Sequence, residues 1–296
     1  MSAMRDSATE MNLQPIVVTG PADRLLVAAL HEIAPLIDEL RSGVLLIGGL
    51  MTRLWLHGTP ETAPVRPTAD VDLGIDRGAL HLHGDRRRVD PALRRLGFAP
   101  GHGDEPFRYS KTVDGVGQVI VDVLVAPGSS REDPPVVEAG LQSLAAPGLA
   151  YAIQRRSVDF EGEFVDGATS RPFNLPLPTA DAAFVLKAAL VAKGARTRPD
   201  RVLTDTVDAL AMAAVCLQYP EALAALRVNR GRSDVRASLA WLADAFRSLT
   251  AIGARRVEDH YREEGLGAGM GEWASNVAAQ LIDLAGPTAA GGRGAR

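Results

Sequence analysis

A single cysteine in 296 residues, Cys216 within MAAVCLQY, excludes an internal disulfide and a cysteine-built zinc site. Its apolar neighbours mark it as a packed thiol rather than a nucleophile. Long apolar runs are missing as well: no stretch approaches the roughly 18 residues that span a bilayer, so no membrane partner is expected. The opening MSAMRDSATEMNLQ lacks the apolar core of a secretion signal, and the expectation is a cytoplasmic protein. Positive charge is also short. With 32 Lys and Arg against 36 Asp and Glu the net charge is -4, which argues against coating nucleic acid everywhere but leaves room for one basic groove. What is present is 46% hydrophobic and 23% charged residues, the balance of a globular chain able to build one large domain or two ordinary ones.

Helical spacing in PADRLLVAALHEIAPLIDEL predicts a helix over about 22–41, with Pro35 as a possible kink. VLLI (44–47) reads as a short buried strand that Gly48-Gly49 turns into a second helix, LMTRLWLH, ending near Gly58. Pro60, Pro64 and Pro67 make the next segment a loop. DVDLGI is a strand, followed by an Arg-rich helical stretch around 85–96. FRYSKTV and VGQVIVDVLVA then flank Asp114-Gly115, a pair suited to the two positive-φ positions of a tight hairpin turn, so a mixed sheet is expected. Further strands are expected within YAIQRRSVDF and RPFNLPLP. From Thr179 the pattern turns helical. The predicted architecture is α/β (α+β): a mixed-sheet domain over 1–178, a helical C-terminal domain over 179–285, and a flexible tail over 286–296, too poor in apolar residues to order itself.

The chemistry concentrates between residues 45 and 75. Side chains two apart on a strand share a face, so Asp70 and Asp72 project together while Val71 and Leu73 point the other way. Two adjacent carboxylates repel, and the arrangement makes sense around a divalent cation such as Mg²⁺ (or Mn²⁺), which takes carboxylate and phosphate oxygens. Asp122, the one charge in GQVIVDVLVAP, is a candidate third acid. An anion in an apolar strand is costly without a partner, so something positive should face it. Gly48 and Gly49, at a strand end that opens a helix, expose backbone N–H groups where the helix dipole favours anions, a seat for a triphosphate. The implied reaction is in-line attack on the α-phosphorus of an NTP substrate with pyrophosphate leaving.

Strand, Gly-Gly, helix, D-x-D strand and a later strand with an isolated Asp resemble the nucleotidyltransferase superfamily, the DNA polymerase β-like fold. Within it, IGGLMTRLWLHG and RPTADVDLGI resemble the AbiEii toxin branch, which also has a helical C-terminal half. That branch carries a helical Lys, a basic residue about two turns on, and Lys-Asp-x-x-Asp opening the next helix. Lys187, Lys193, Asp205 and Asp208 match, and Thr204 stands in place of the second Lys. The resemblance implies a toxin-like nucleotidyltransferase with a cognate antitoxin, acting on an RNA acceptor such as the tRNA 3′ end. In it Asp70 and Asp72 hold the metal, and Asp122 completes the site or takes the acceptor hydroxyl's proton. Lys187 neutralises the triphosphate, Asp205 and Asp208 orient Lys187 or a ribose, and Arg66 and Thr68 support the phosphate loop.

For an RNA acceptor the basic surface would come from KGARTRPDR (193–201) and RVNRGR (227–232), with RRR (86–88) a weaker candidate; such contacts make binding fall with salt. HLH (81–83) has no acidic partner nearby and is not read as a metal site. Two rival readings stand beside this one. A noncatalytic nucleotide-sensing or protein-binding module would keep the glycines but would not need three acids. An enzyme acting on a protein or on a small molecule such as an aminoglycoside would keep both.

Overall fold

The apolar strands predicted from the sequence pair into two sheets that alternate with helices in a computed structural model. It describes residues 10–59, 68, 70–76, 89–102, 105, 107–126, 144–155, 157–194, 198–263, 265 and 268–285. The chain divides into two units, one of the described residues up to Thr179 and one from Ala180 onward.

In the N-terminal unit, β1 (Glu10–Asn12), β2 (Ile16–Val17) and α1 (Pro21–Glu39) precede a short 3₁₀ turn. Pro35 is accommodated inside α1. β3 (Val44–Ile47) runs directly into α2 (Gly48–Gly58), and β4 (Asp70–Ile75) follows. Next come α3 (Val89–Arg95), β5 (Ala99–Pro100), β6 (Arg108–Val113), β7 (Gly117–Val125), β8 (Leu144–Ala145) and α4 (Leu149–Gln154). β9 (Ser157–Asp166) and β10 (Thr169–Pro178) close the unit. One sheet has the order β3-β4-β7-β6-β5, with β8 added to the end of β7. β4 and β7 are parallel and their other long neighbours antiparallel, so the sheet is mixed. Val71, Leu73, Val121 and Val123 are fully buried within it, and α1 packs on β4 and β7. Asp23, in the first turn of α1, accepts bonds from the Thr19 N–H and hydroxyl and pairs with Arg53 of α2 at 2.5 Å, tying the two helices together. Burial would raise its carboxyl, but these partners outweigh that and hold it below the usual range.

β9 and β10 form a hairpin flanked by β1 and β2 in the second sheet. Pro172, Pro176 and Pro178 share one parity along β10. Their nitrogens therefore all point away from β9, which an edge strand tolerates.

Two local readings are corrected. Residues 151–154, expected in a strand, belong to the helix α4, and the strand starts only at Ser157. The β6–β7 link has three residues, because Val113 pairs with Gly117; positive φ falls on Gly115 and Gly117 instead of on Asp114 and Gly115.

The C-terminal unit comprises α5 (Ala180–Ala192), α6 (Pro199–Gln218), α7 (Pro220–Asn229), α8 (Ser233–Ala245), α9 (Ile252–Glu263) and α10 (Met270–Ala285). Every residue of α5 from Ala180 to Leu190 is buried, as a helix apolar on all sides requires, and α6, α7 and α8 pack around it. Cys216 lies inside this core, as its neighbours imply. Among the described residues no single helix is long and apolar enough to cross a membrane.

Candidate functional site

β4 leaves Asp70 and Asp72 half-buried on one face while Val71 and Leu73 fill the other. The Thr68 hydroxyl donates to Asp70 Oδ1 at 3.0 Å and fixes that carboxyl's orientation. Asp72 lies against Gly48 at the start of α2. A Cβ built on Gly48 would stand 1.7 Å from Asp72 Oδ2, and Gly48 has φ +75°, so both space and backbone require glycine there. Gly49 follows as the second residue of the helix. A carboxylate in this place is favoured by the helix N-terminus.

In the parallel β4–β7 ladder Asp72 is the direct partner of Asp122, and across the β7–β6 ladder Asp122 is the partner of Arg108. Directly paired residues share a face, so Asp72, Asp122 and Arg108 form one row over three strands. Arg108 is the positive group that Asp122 demanded. Its Nε donates to Oδ1 and an Nη to Oδ2, both at 2.9 Å, while its other Nη is 2.9 Å from both Glu105 carboxylate oxygens. This is the two-pronged guanidinium–carboxylate fork, the strongest common form of ion pair. Burial pushes the Asp122 carboxyl above its ordinary range, and Arg108 offsets part of that rise while Asp70 and Glu105 add to it. The bond to Asp122 in turn raises the Arg108 pKa further, with Glu105 and Asp70 contributing.

The three expected acids lie on one face of the sheet, and the third, Asp122, is paired with Arg108. Asp70 and Asp72 present hard oxygen donors beside a helix start, which fits Mg²⁺ held by one or two carboxylates together with substrate phosphates. Each oxygen of Asp122 accepts one bond from Arg108 and keeps a second lone pair. Among the described residues no group of three His, Cys, Asp or Glu side chains is arranged to hold a metal ion.

The helical unit gathers a second expected set. Lys187 Nζ lies 2.8 Å from Asp208 Oδ2 and 3.4 Å from Asp205 Oδ1, and all three side chains are buried. Asp205 and Asp208 thus meet Lys187, and its charge is engaged by them. Beside this group is Tyr261, whose hydroxyl is buried with no hydrogen-bond partner among the described residues; burial first and the Asp208 charge second push its pKa up to about 12. No local signal marks Tyr261, because the buried residues of α9 are few beside its charges. Lys193 pairs with Asp234 and Arg198 with Asp200, so part of the first basic cluster is already neutralised. In the second cluster Arg227 donates to the Leu284 carbonyl. Arg66, His81, His83, the arginines at 86–88 and the tail at 286–296 lie outside the described residues. A cavity of about 560 Å³ between α1 and the β9–β10 hairpin includes none of the expected site residues.

No family model and no curated protein matches the chain. A match among solved structures is the antibiotic-resistance factor ANT(2'')-Ia, determined in solution, at 12% identity and a TM-score of 0.30, covering 69% of this chain and 96% of that one.

Proposed function

We propose that the chain is a metal-dependent nucleotidyltransferase of toxin type, moving a nucleotide from an NTP to an RNA acceptor, the tRNA 3′ end, and held in check by an antitoxin protein. The observation that carries this reading is the seating of Asp72 over Gly48, with Asp70 beside it and Asp122 one strand away on the same face. A divalent cation bound by Asp70 and Asp72 would stabilise charge on the attacking and leaving oxygens. The Gly48–Gly49 helix start supplies N–H groups to the phosphates. Thr68 fixes Asp70. Asp122 receives the proton of the acceptor hydroxyl as its oxygen bonds to the α-phosphorus and the bond to the bridging oxygen breaks, releasing pyrophosphate. In the helical unit, the buried group of Lys187, Asp205 and Asp208 supports the fold.

One observation favours the noncatalytic module: Arg108 already neutralises Asp122. Each labelled NTP, incubated with Mg²⁺ and total tRNA, separates the readings. Label on RNA is expected, and Asp72→Asn should lower its rate on the order of 10³-fold, the loss of several kcal/mol of charge stabilisation. Label on a protein or an aminoglycoside would replace the acceptor, and no label on any acceptor would leave the noncatalytic module.

A further inference from the structure

Resting on the reading above, we propose that Arg108 is a positioning residue that reserves Asp122 for the acceptor side of the site and keeps it out of the cation's ligand set. The order Asp72, Asp122, Arg108 across consecutive strands places Asp122 between the cation's carboxylates and a fixed guanidinium. The charge of Asp122 is matched by Arg108.

Arg108 is held from both edges. One edge of the guanidinium grips both Asp122 oxygens and the other grips Glu105. Its side chain is 24% exposed and that of Asp122 10%, so the fork works where water competes weakly. Turning Asp122 toward a cation at Asp72 would break two charge-assisted bonds. It would also leave the guanidinium facing a second positive charge with Glu105 as its remaining bonded carboxylate. Both changes oppose a three-carboxylate site. The same fork holds the Asp122 carboxyl in one orientation, which a group that must meet an incoming hydroxyl needs.

Mn²⁺ binding to the full chain, followed by the loss of its free electron-spin signal without any NTP, tests this directly. Asp72→Asn should weaken binding at least tenfold. Asp122→Asn should leave it within about twofold, and Arg108→Gln, which frees a third carboxylate, should tighten it several-fold. Arg108→Lys, which keeps the charge but loses the fork, should fall between Arg108→Gln and the unaltered chain. In turnover, Asp122→Asn and Arg108→Gln should lower kcat and leave KM for the NTP unchanged. If Asp122→Asn weakens Mn²⁺ binding as much as Asp72→Asn does, Asp122 is a ligand and the proposal is overturned while the nucleotidyltransferase reading stands. Should Asp72→Asn itself have no effect, that reading falls and this one with it. If Arg108→Gln does not fold, as judged by circular dichroism, the isosteric Asp122→Asn comparison decides alone.

Discussion

The two units each hold a set of acidic and basic side chains, and they treat them in opposite ways. In the sheet, Asp70 and Asp72 stay half-buried at a strand face beside a helix start. In the helices, Lys187, Asp205 and Asp208 are closed off together, none more than 5% exposed. Half-buried carboxylates keep contact with water, whereas a closed set has lost it. The sheet face therefore stays within reach of solvent. The helical set is where a charge removed costs the fold.

The contrast has measurable consequences. Lys187→Met removes the cation that two buried carboxylates share and should cost about 3–5 kcal/mol in urea unfolding, with most of it recovered when Asp205→Asn and Asp208→Asn are added. An equally stable single variant would erase the distinction between the units. Gly48→Ala forces a side chain into positive φ and against Asp72; about 1–2 kcal/mol of backbone strain is expected, with turnover falling far more than stability. Tyr261→Phe is the smallest change. Removing a buried hydroxyl that has no partner among the described residues should alter stability by less than about 1 kcal/mol at neutral pH. Because burial holds the Tyr261 pKa up to about 12, the folded chain keeps this proton more tightly than the unfolded one. Its contribution is present below pH 10 and is lost as pH rises from 10 through 12. Alkaline unfolding curves should show that decline in the unaltered chain and a shallower one in the phenylalanine variant.

Much of this arrangement was legible in the sequence, and the misses share a cause. The Gly48–Gly49 helix start, the β4 strand and the paired direction of Asp70 and Asp72 follow from local periodicity alone. That Asp122 needed a positive neighbour followed from its apolar surroundings, but which residue supplies it depends on hairpin register. A two-residue turn at Asp114-Gly115 would have set Phe107 opposite Asp122. The three-residue link moves the pairing by one and places Arg108 there. Register is a property of the pair of strands, so neither strand alone revealed it. α9 was missed because its buried stripe, Ala254, Val257 and Tyr261, is narrow beside its many charges. α4 was missed because YAIQ carries no period long enough to tell six helical residues from a strand.

The prolines of β10 carry one more lesson. β10 runs beside β3, yet no ladder joins them among the described residues. Strand nitrogens without hydrogen cannot stitch the gap. The two sheets therefore meet along a seam held by side chains, with Trp55 edge-on to Phe160 and its indole bonded to the Pro178 carbonyl. That seam is the natural fault line of the N-terminal unit: under denaturant or force the plates should part there before either one frays.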